Sequence, residues 1–85
     1  MAIFEQPKPR WKALIWTLGT IPVPRQDVME ELGYKYVWQL EADVGKARAA
    51  GIRLSMRKSQ ENGTMLWLRS PADIDRAAQI LGEVV

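Results

Sequence analysis

The chain has 85 residues, 12 Lys+Arg against 10 Asp+Glu for a formal net charge of +2, and neither Cys nor His. That length supports one small core, and the missing residue types exclude disulfides, thiolate nucleophiles, zinc–thiolate sites and histidine general bases. No apolar run approaches the ~18–20 residues that cross a bilayer, and the amino terminus lacks a signal-peptide layout, so a cytoplasmic protein with no membrane role is expected.

Residues 1–10 read as an arm, because Pro7 and Pro9 forbid regular pairing; Lys8 and Arg10 there could touch phosphate. Trp11, Leu14, Ile15 and Leu18 then fall at i, i+3, i+4, i+7, the buried stripe of a first helix that Gly19 is expected to end. Trp16 lies off that stripe, at a core edge or an interface. Thr20-Ile21-Pro22-Val23 is short, apolar and proline-bearing, which suits an edge strand or extended connector.

Pro24 ahead of Arg25-Gln26-Asp27 predicts a helix over residues 25–32, with Val28, Met29 and Leu32 facing inward. Glu30 and Glu31 diverge on that helix and read as solvated charges rather than an acid–base pair. Gly33 supplies the left-handed geometry for a tight turn over residues 33–35, and a longer helix pattern follows over residues 36–50, stopped by Gly51. With Leu40 at the centre of its inward face, Tyr36, Val37, Asp43, Val44 and Ala47 lie within about 60° of it. The opposite face carries Lys35, Trp38, Ala42, Gly45 and Ala49, flanked by Gln39, Glu41 and Lys46.

Ile52, Leu54 and Met56 alternate with Arg53, Ser55 and Arg57, and Leu66 and Leu68 alternate with Met65, Trp67 and Arg69, which predicts a hairpin of strands over residues 52–57 and 64–68. Its tip, residues 57–63, is polar and ends in Asn62-Gly63, a strong turn former, so Arg57 and Lys58 are expected on a projecting loop. Ser70-Pro71-Ala72-Asp73 opens a last helix as a relative of the capping box, and Ile74, Ala77, Ala78, Leu81 and Val84 mark its apolar stripe. Positive charge collects in the middle of the chain: residues 35–69 hold seven basic and three acidic side chains, whereas residues 70–85 hold one and three.

Helix, turn, helix and hairpin in this order resemble a winged helix-turn-helix. Residues 25–68 are similar to the amino-terminal repressor domain of biotin ligases and similar bacterial or phage regulators. The match rests on Leu32-Gly33, on Leu40, Val44 and Ala47, on Arg48-Ala49-Ala50-Gly51, and on Ile52 and Leu54, with a turn one residue longer than usual. The resemblance implies a mainly α fold with a small β-hairpin: a three-helix core plus wing and a C-terminal helix, one domain over residues 11–85. It also implies a duplex-DNA-binding protein, a transcriptional regulator or a phage- or plasmid-type accessory factor.

Three accounts of the outer face of helix 36–50 stay open. It could enter the major groove, with Gln39 on an adenine edge, Lys35 and Lys46 on phosphates, and Trp38 and Ala42 against the groove. It could bind a protein, as an adaptor or inhibitor anchored by Trp38 with the small residues admitting another helix. Or Trp38 could simply cover an edge of the core. Arg57 and Lys58 are the wing's candidate contacts to the sugar–phosphate backbone, against the plain reading of a soluble loop. No phosphate loop, dinucleotide glycine pattern, metal-spaced ligand set or serine elbow is present, so neither an enzyme nor a cofactor is expected. A homodimer through the C-terminal helix is expected from its terminal apolar stripe.

Overall fold

Leu14, Ile15, Leu40, Ile52, Leu66 and Leu68 are the largest fully buried side chains, and they draw the helices and strands of the chain onto one core. The computed structural model describes residues 9–61 and 63–82. Four helices, α1 (Arg10–Thr17), α2 (Arg25–Leu32), α3 (Val37–Ala49) and α4 (Pro71–Gly82), pack with three strands, β1 (Val23–Pro24), β2 (Leu54–Ser59) and β3 (Gly63–Leu68). The strands form one antiparallel sheet in the order β1-β3-β2, so the architecture is α+β. The first eight residues of the expected arm, Lys8 among them, and the end of the last apolar stripe, Val84, lie outside the described residues.

α1 begins at Arg10, inside the stretch read as an arm, and ends at Thr17. Gly19 does not stop it: Leu18 turns the backbone extended, and among the described residues positive φ is confined to Gly33, Gly51 and Gly63. The Gly19 carbonyl instead accepts the Leu68 N–H at 2.7 Å, tying the exit of α1 to the sheet. The short strand that follows pairs Val23 with Leu66 and Pro24 with Met65, an edge position where a proline removes no central ladder bond.

Gly33 at φ 77 closes α2, and both its own N–H and that of Tyr34 return to the Met29 carbonyl. α3 starts one residue later than expected, at Val37, with Tyr36 as its extended N-cap. That late start changes the inner face at its first turn: Tyr36 and Val37 are exposed, whereas Leu40, Val44 and Ala47 are buried. At the other end Gly51 at φ 98 donates to the Arg48 carbonyl and Ile52 to that of Ala47, the paired bonds of a Schellman stop. Among the described residues no helix is long and apolar enough to cross a membrane.

The hairpin lies further toward its tip than its sequence pattern indicates: the first strand starts at Leu54 rather than Ile52 and runs to Ser59 rather than Arg57. β2 and β3 stay paired from Leu54–Leu68 out to Ser59–Gly63, and Gly63 takes the left-handed conformation at φ 69; Asn62 lies outside the described residues. Arg57 and Lys58 therefore sit in a paired strand rather than on a loose tip, opposite Met65 and Thr64. The stripe of α4 is also rotated from its expected phase. Asp73 and Ala77 are buried with Ile80 and Leu81 against the core, while Ile74 and Ala78 are exposed.

Asp73 is the buried charged residue on the core side of α4. Its carboxylate accepts the Ser70 N–H at 3.1 Å and the Ser70 hydroxyl at 3.0 Å, the cap that the Ser-Pro-Ala-Asp pattern predicts. It also accepts the Arg53 N–H at 2.9 Å and Arg53 Nε at 3.3 Å, a link to the base of the hairpin that spacing alone does not reveal.

Candidate functional site

α3 presents two unlike faces. Its core side is anchored by Leu40, Val44 and Ala47, and its solvent side exposes Lys35 just before the helix, then Trp38, Ala42, Gly45, Lys46 and Ala49. β2 runs beside it in the opposite direction. Arg48 donates to the Leu54 carbonyl from Nε (3.3 Å) and Nη2 (2.9 Å), and Met56 shares a groove with Glu41 and Val44. The strand thus leads back toward the amino-terminal end of α3, where Trp38 stands.

Trp38 is 65% exposed, which removes the account in which it merely covers the core. Its ring lies almost parallel to that of Tyr36, with centroids 6.3 Å apart and planes 8° from each other. Lys35 Nζ sits 5.8 Å from the centre of the Tyr36 ring. A cation, two stacked aromatic rings and the exposed Val37 therefore share the start of α3. Tyr36 escapes sequence reasoning as a surface residue because its helical angle points inward, but a cap residue does not follow that angle; Val37, exposed beside it, is the first residue of the helix.

Gln39 does not stand free for base reading. Its Oε1 accepts the N–H groups of Lys35 (2.9 Å) and Tyr36 (3.1 Å), so both lone pairs serve the helix start. A two-point adenine contact needs that same oxygen and would uncap α3. Lys46 is exposed and lies 3.8 Å from Asp43, a loose surface pair that leaves its ammonium able to reach a phosphate. Asp43 itself, an acid on the inward side of α3, is explained by Tyr34, whose hydroxyl donates to it at 2.6 Å.

Successive residues of a strand point to opposite faces. Lys58 consequently shares the α3-facing side of β2 with Leu54 and Met56, and Arg57 shares the outer side with Arg53 and Ser55. Both are exposed, but the structure does not bring them to one face. Lys58 is thus the hairpin cation on the inward side of the strand, and Arg57 stands on the other side.

Gly45 lies on the exposed side of α3, and a Cβ built there meets nothing within 4 Å. No contact within the chain requires glycine at that position. Gly45→Ala is expected to raise the unfolding free energy by ~0.5–1 kcal/mol in a chemical-denaturation experiment, since glycine is a poor residue inside a helix. If the stabilised variant also loses its ligand, something approaches that part of α3 closely.

Among the described residues no group of three or more acidic side chains is placed to hold a metal ion. No family model matches the chain, and neither a curated protein nor a solved structure shows significant similarity to it.

Proposed function

We propose that the chain is a small winged helix-turn-helix protein that binds duplex DNA, with α3 directed at the major groove and the β2–β3 hairpin as its wing. The observation that carries this reading is the solvent side of α3. Lys35, Trp38, Ala42 and Lys46 stand exposed there while the other side is locked in the core, and β2 packs beside the helix through Met56, with the exposed Lys58 two residues further along that strand. The order of elements and the central concentration of basic residues support it. With Gln39 committed to capping, phosphate contacts from Lys35, Lys46, Arg57 and Lys58 would supply most of the affinity, and Trp38 would pack on a sugar or thymine methyl. Such a balance suits an accessory or regulatory protein with modest base discrimination. Ile74 and Ala78, exposed on α4, are the surface through which a homodimer would form in this reading.

Fluorescence anisotropy on a labelled duplex tests the proposal. Four phosphate contacts predict roughly a hundredfold loss of affinity between about 50 and about 200 mM salt. Arg57→Glu with Lys58→Glu is expected to weaken binding at least about tenfold and to reduce the salt slope by about two. If no duplex is retained at low salt, or the double charge reversal changes nothing, the DNA reading fails.

A second reading, a winged-helix adaptor or inhibitor of a protein, is favoured by one observation. The Tyr36–Trp38 stack, 51% and 65% exposed, is a ready hydrophobic anchor. Trp38→Ala separates the two. Loss of a protein partner with duplex binding intact favours the adaptor, and a parallel fall in duplex affinity favours the groove.

A further inference from the structure

The base of the hairpin holds a basic groove that the α3 surface does not use. The Arg69 N–H donates to the Arg53 carbonyl at 2.9 Å, and Leu54 pairs with Leu68, so Arg53 and Arg69 stand opposite each other across the two strands. Ser55, two residues beyond Arg53, shares their face. Arg48 reaches the same place from the last turn of α3, with its guanidinium on the edge carbonyl of Leu54. Together with the backbone of Gly51 and Ile52 these side chains line an open groove of about 400 Å³, a volume within the range of small-ligand clefts.

Three guanidinium groups around one concavity repel each other, and folding explains only two of them. Arg48 satisfies a strand-edge carbonyl. Arg53 is held by Asp73 and by the Ser70 hydroxyl, 2.9 Å from its Nη2. Arg69 has no side-chain hydrogen bond or ion pair among the described residues. Asp73 is the acid beside the groove, and it is buried with its oxygens already committed to Arg53 and Ser70. The positive charge is therefore only partly compensated. Arg48 and Arg53 each still have Nη1 to offer on a guanidinium that its other bonds hold in place, and Arg69 offers its full planar fork.

We propose that this groove is a phosphate-binding site separate from the α3 surface. The non-bridging oxygens of a phosphate group would be held by Arg48, Arg53 and Arg69, with the Ser55 hydroxyl as a fourth donor. The phosphate could belong to a free phosphate ester up to nucleotide size or to the backbone of a duplex. The site stands whether or not α3 binds DNA.

Amide chemical-shift titration of the whole chain tests it, with pyrophosphate and then a short duplex as probes at constant ionic strength. Pyrophosphate is expected to give saturable shifts at the Gly51, Ile52, Ser55 and Arg69 amides. Arg69→Gln should weaken that binding about tenfold, whereas Arg25→Gln, which removes equal charge outside the groove, leaves it unchanged. If the duplex moves the same amides and Arg69→Gln lowers its salt slope by about one, the phosphate comes from the DNA backbone. If pyrophosphate saturates the groove and the duplex leaves it unmoved, the ligand is a free ester; if the duplex does not bind at all, the α3 reading falls and the groove remains. Shifts that rise linearly without saturation, or fall equally in Arg25→Gln and Arg69→Gln, overturn the site even where duplex binding persists.

Discussion

Asp73→Ala is expected to lower the unfolding free energy by about 2–3 kcal/mol, seen as a fall of roughly 10–20 °C in the midpoint of a thermal scan. The carboxylate is buried and accepts four hydrogen bonds, two from backbone N–H groups and two from side chains. Truncation leaves the N–H groups of Arg53 and Ser70 without an acceptor where water reaches poorly. The Arg53 guanidinium loses less, because its side chain is 57% exposed and can turn to solvent. Asp73→Asn, which keeps one acceptor oxygen, should cost about half as much. A loss below about 0.5 kcal/mol for the alanine variant would mean the link between hairpin and α4 is only a surface contact.

The same residue sets an acid limit. Burial alone would push the Asp73 carboxyl up, but the Arg53 N–H, the Ser70 side chain and the Arg53 side chain and charge outweigh it and hold the carboxyl below its ordinary value. A folded-state pKa below the unfolded one contributes stability that is complete above the unfolded value, ~3.9, and is lost as pH falls through the folded one. Wild type should therefore lose stability steeply below about pH 4, with a shallower slope in Asp73→Ala.

Tyr34→Ala should be as damaging or more so, about 3–4 kcal/mol by urea denaturation, because it empties an aromatic site in the core. Tyr34 is 6% exposed although it lies in a four-residue turn. Its ring packs in the core cluster with the Arg10 guanidinium 4.9 Å from its centre, and its hydroxyl bonds Asp43 in the middle of α3. One residue thus fastens the start of α1 and the turn to α3 and limits how α3 can rotate. Tyr34→Phe keeps the packing and should cost only about 1 kcal/mol, since Asp43 still has Lys46 beside it.

An alkaline signature accompanies it. Burial first, then the hydrogen bond to Asp43 and its negative charge, push the Tyr34 phenol far above its ordinary value, with Arg10 opposing. Here the folded pKa is raised, so the contribution is complete below the unfolded value, ~10, and is lost as pH rises beyond it. Urea midpoints measured from pH 8 to about pH 11 should fall more in wild type than in Tyr34→Phe. Equal slopes would mean the phenol ionises as freely folded as unfolded.

Much of this fold can be read from residue spacing, because a buried stripe has a period and a left-handed position calls for glycine. Leu40, Val44 and Ala47, the alternation from Ile52 to Met56, the stops at Gly33 and Gly51, and the Ser70–Asp73 cap are all local patterns, and the structure places them as the spacing predicts. The exposure of Trp38, Ala42 and Lys46 follows from the same helical angle, and Lys35 stands just before the helix.

What fails is whatever depends on a partner distant in sequence. Nothing local marks Tyr34 as core or Asp43 as its acceptor. The strands run on to Ser59 and Gly63 because each pair supports the next across the ladder, which moved Arg57 and Lys58 from a loop to opposite faces of a strand. Asp73 sits on the core side of α4, where a buried carboxylate must find donors: two come from Ser70, three residues before it, and the other two from Arg53, 20 residues away. Periodicity records which side of an element avoids water; which polar groups meet there is settled only when the elements pack.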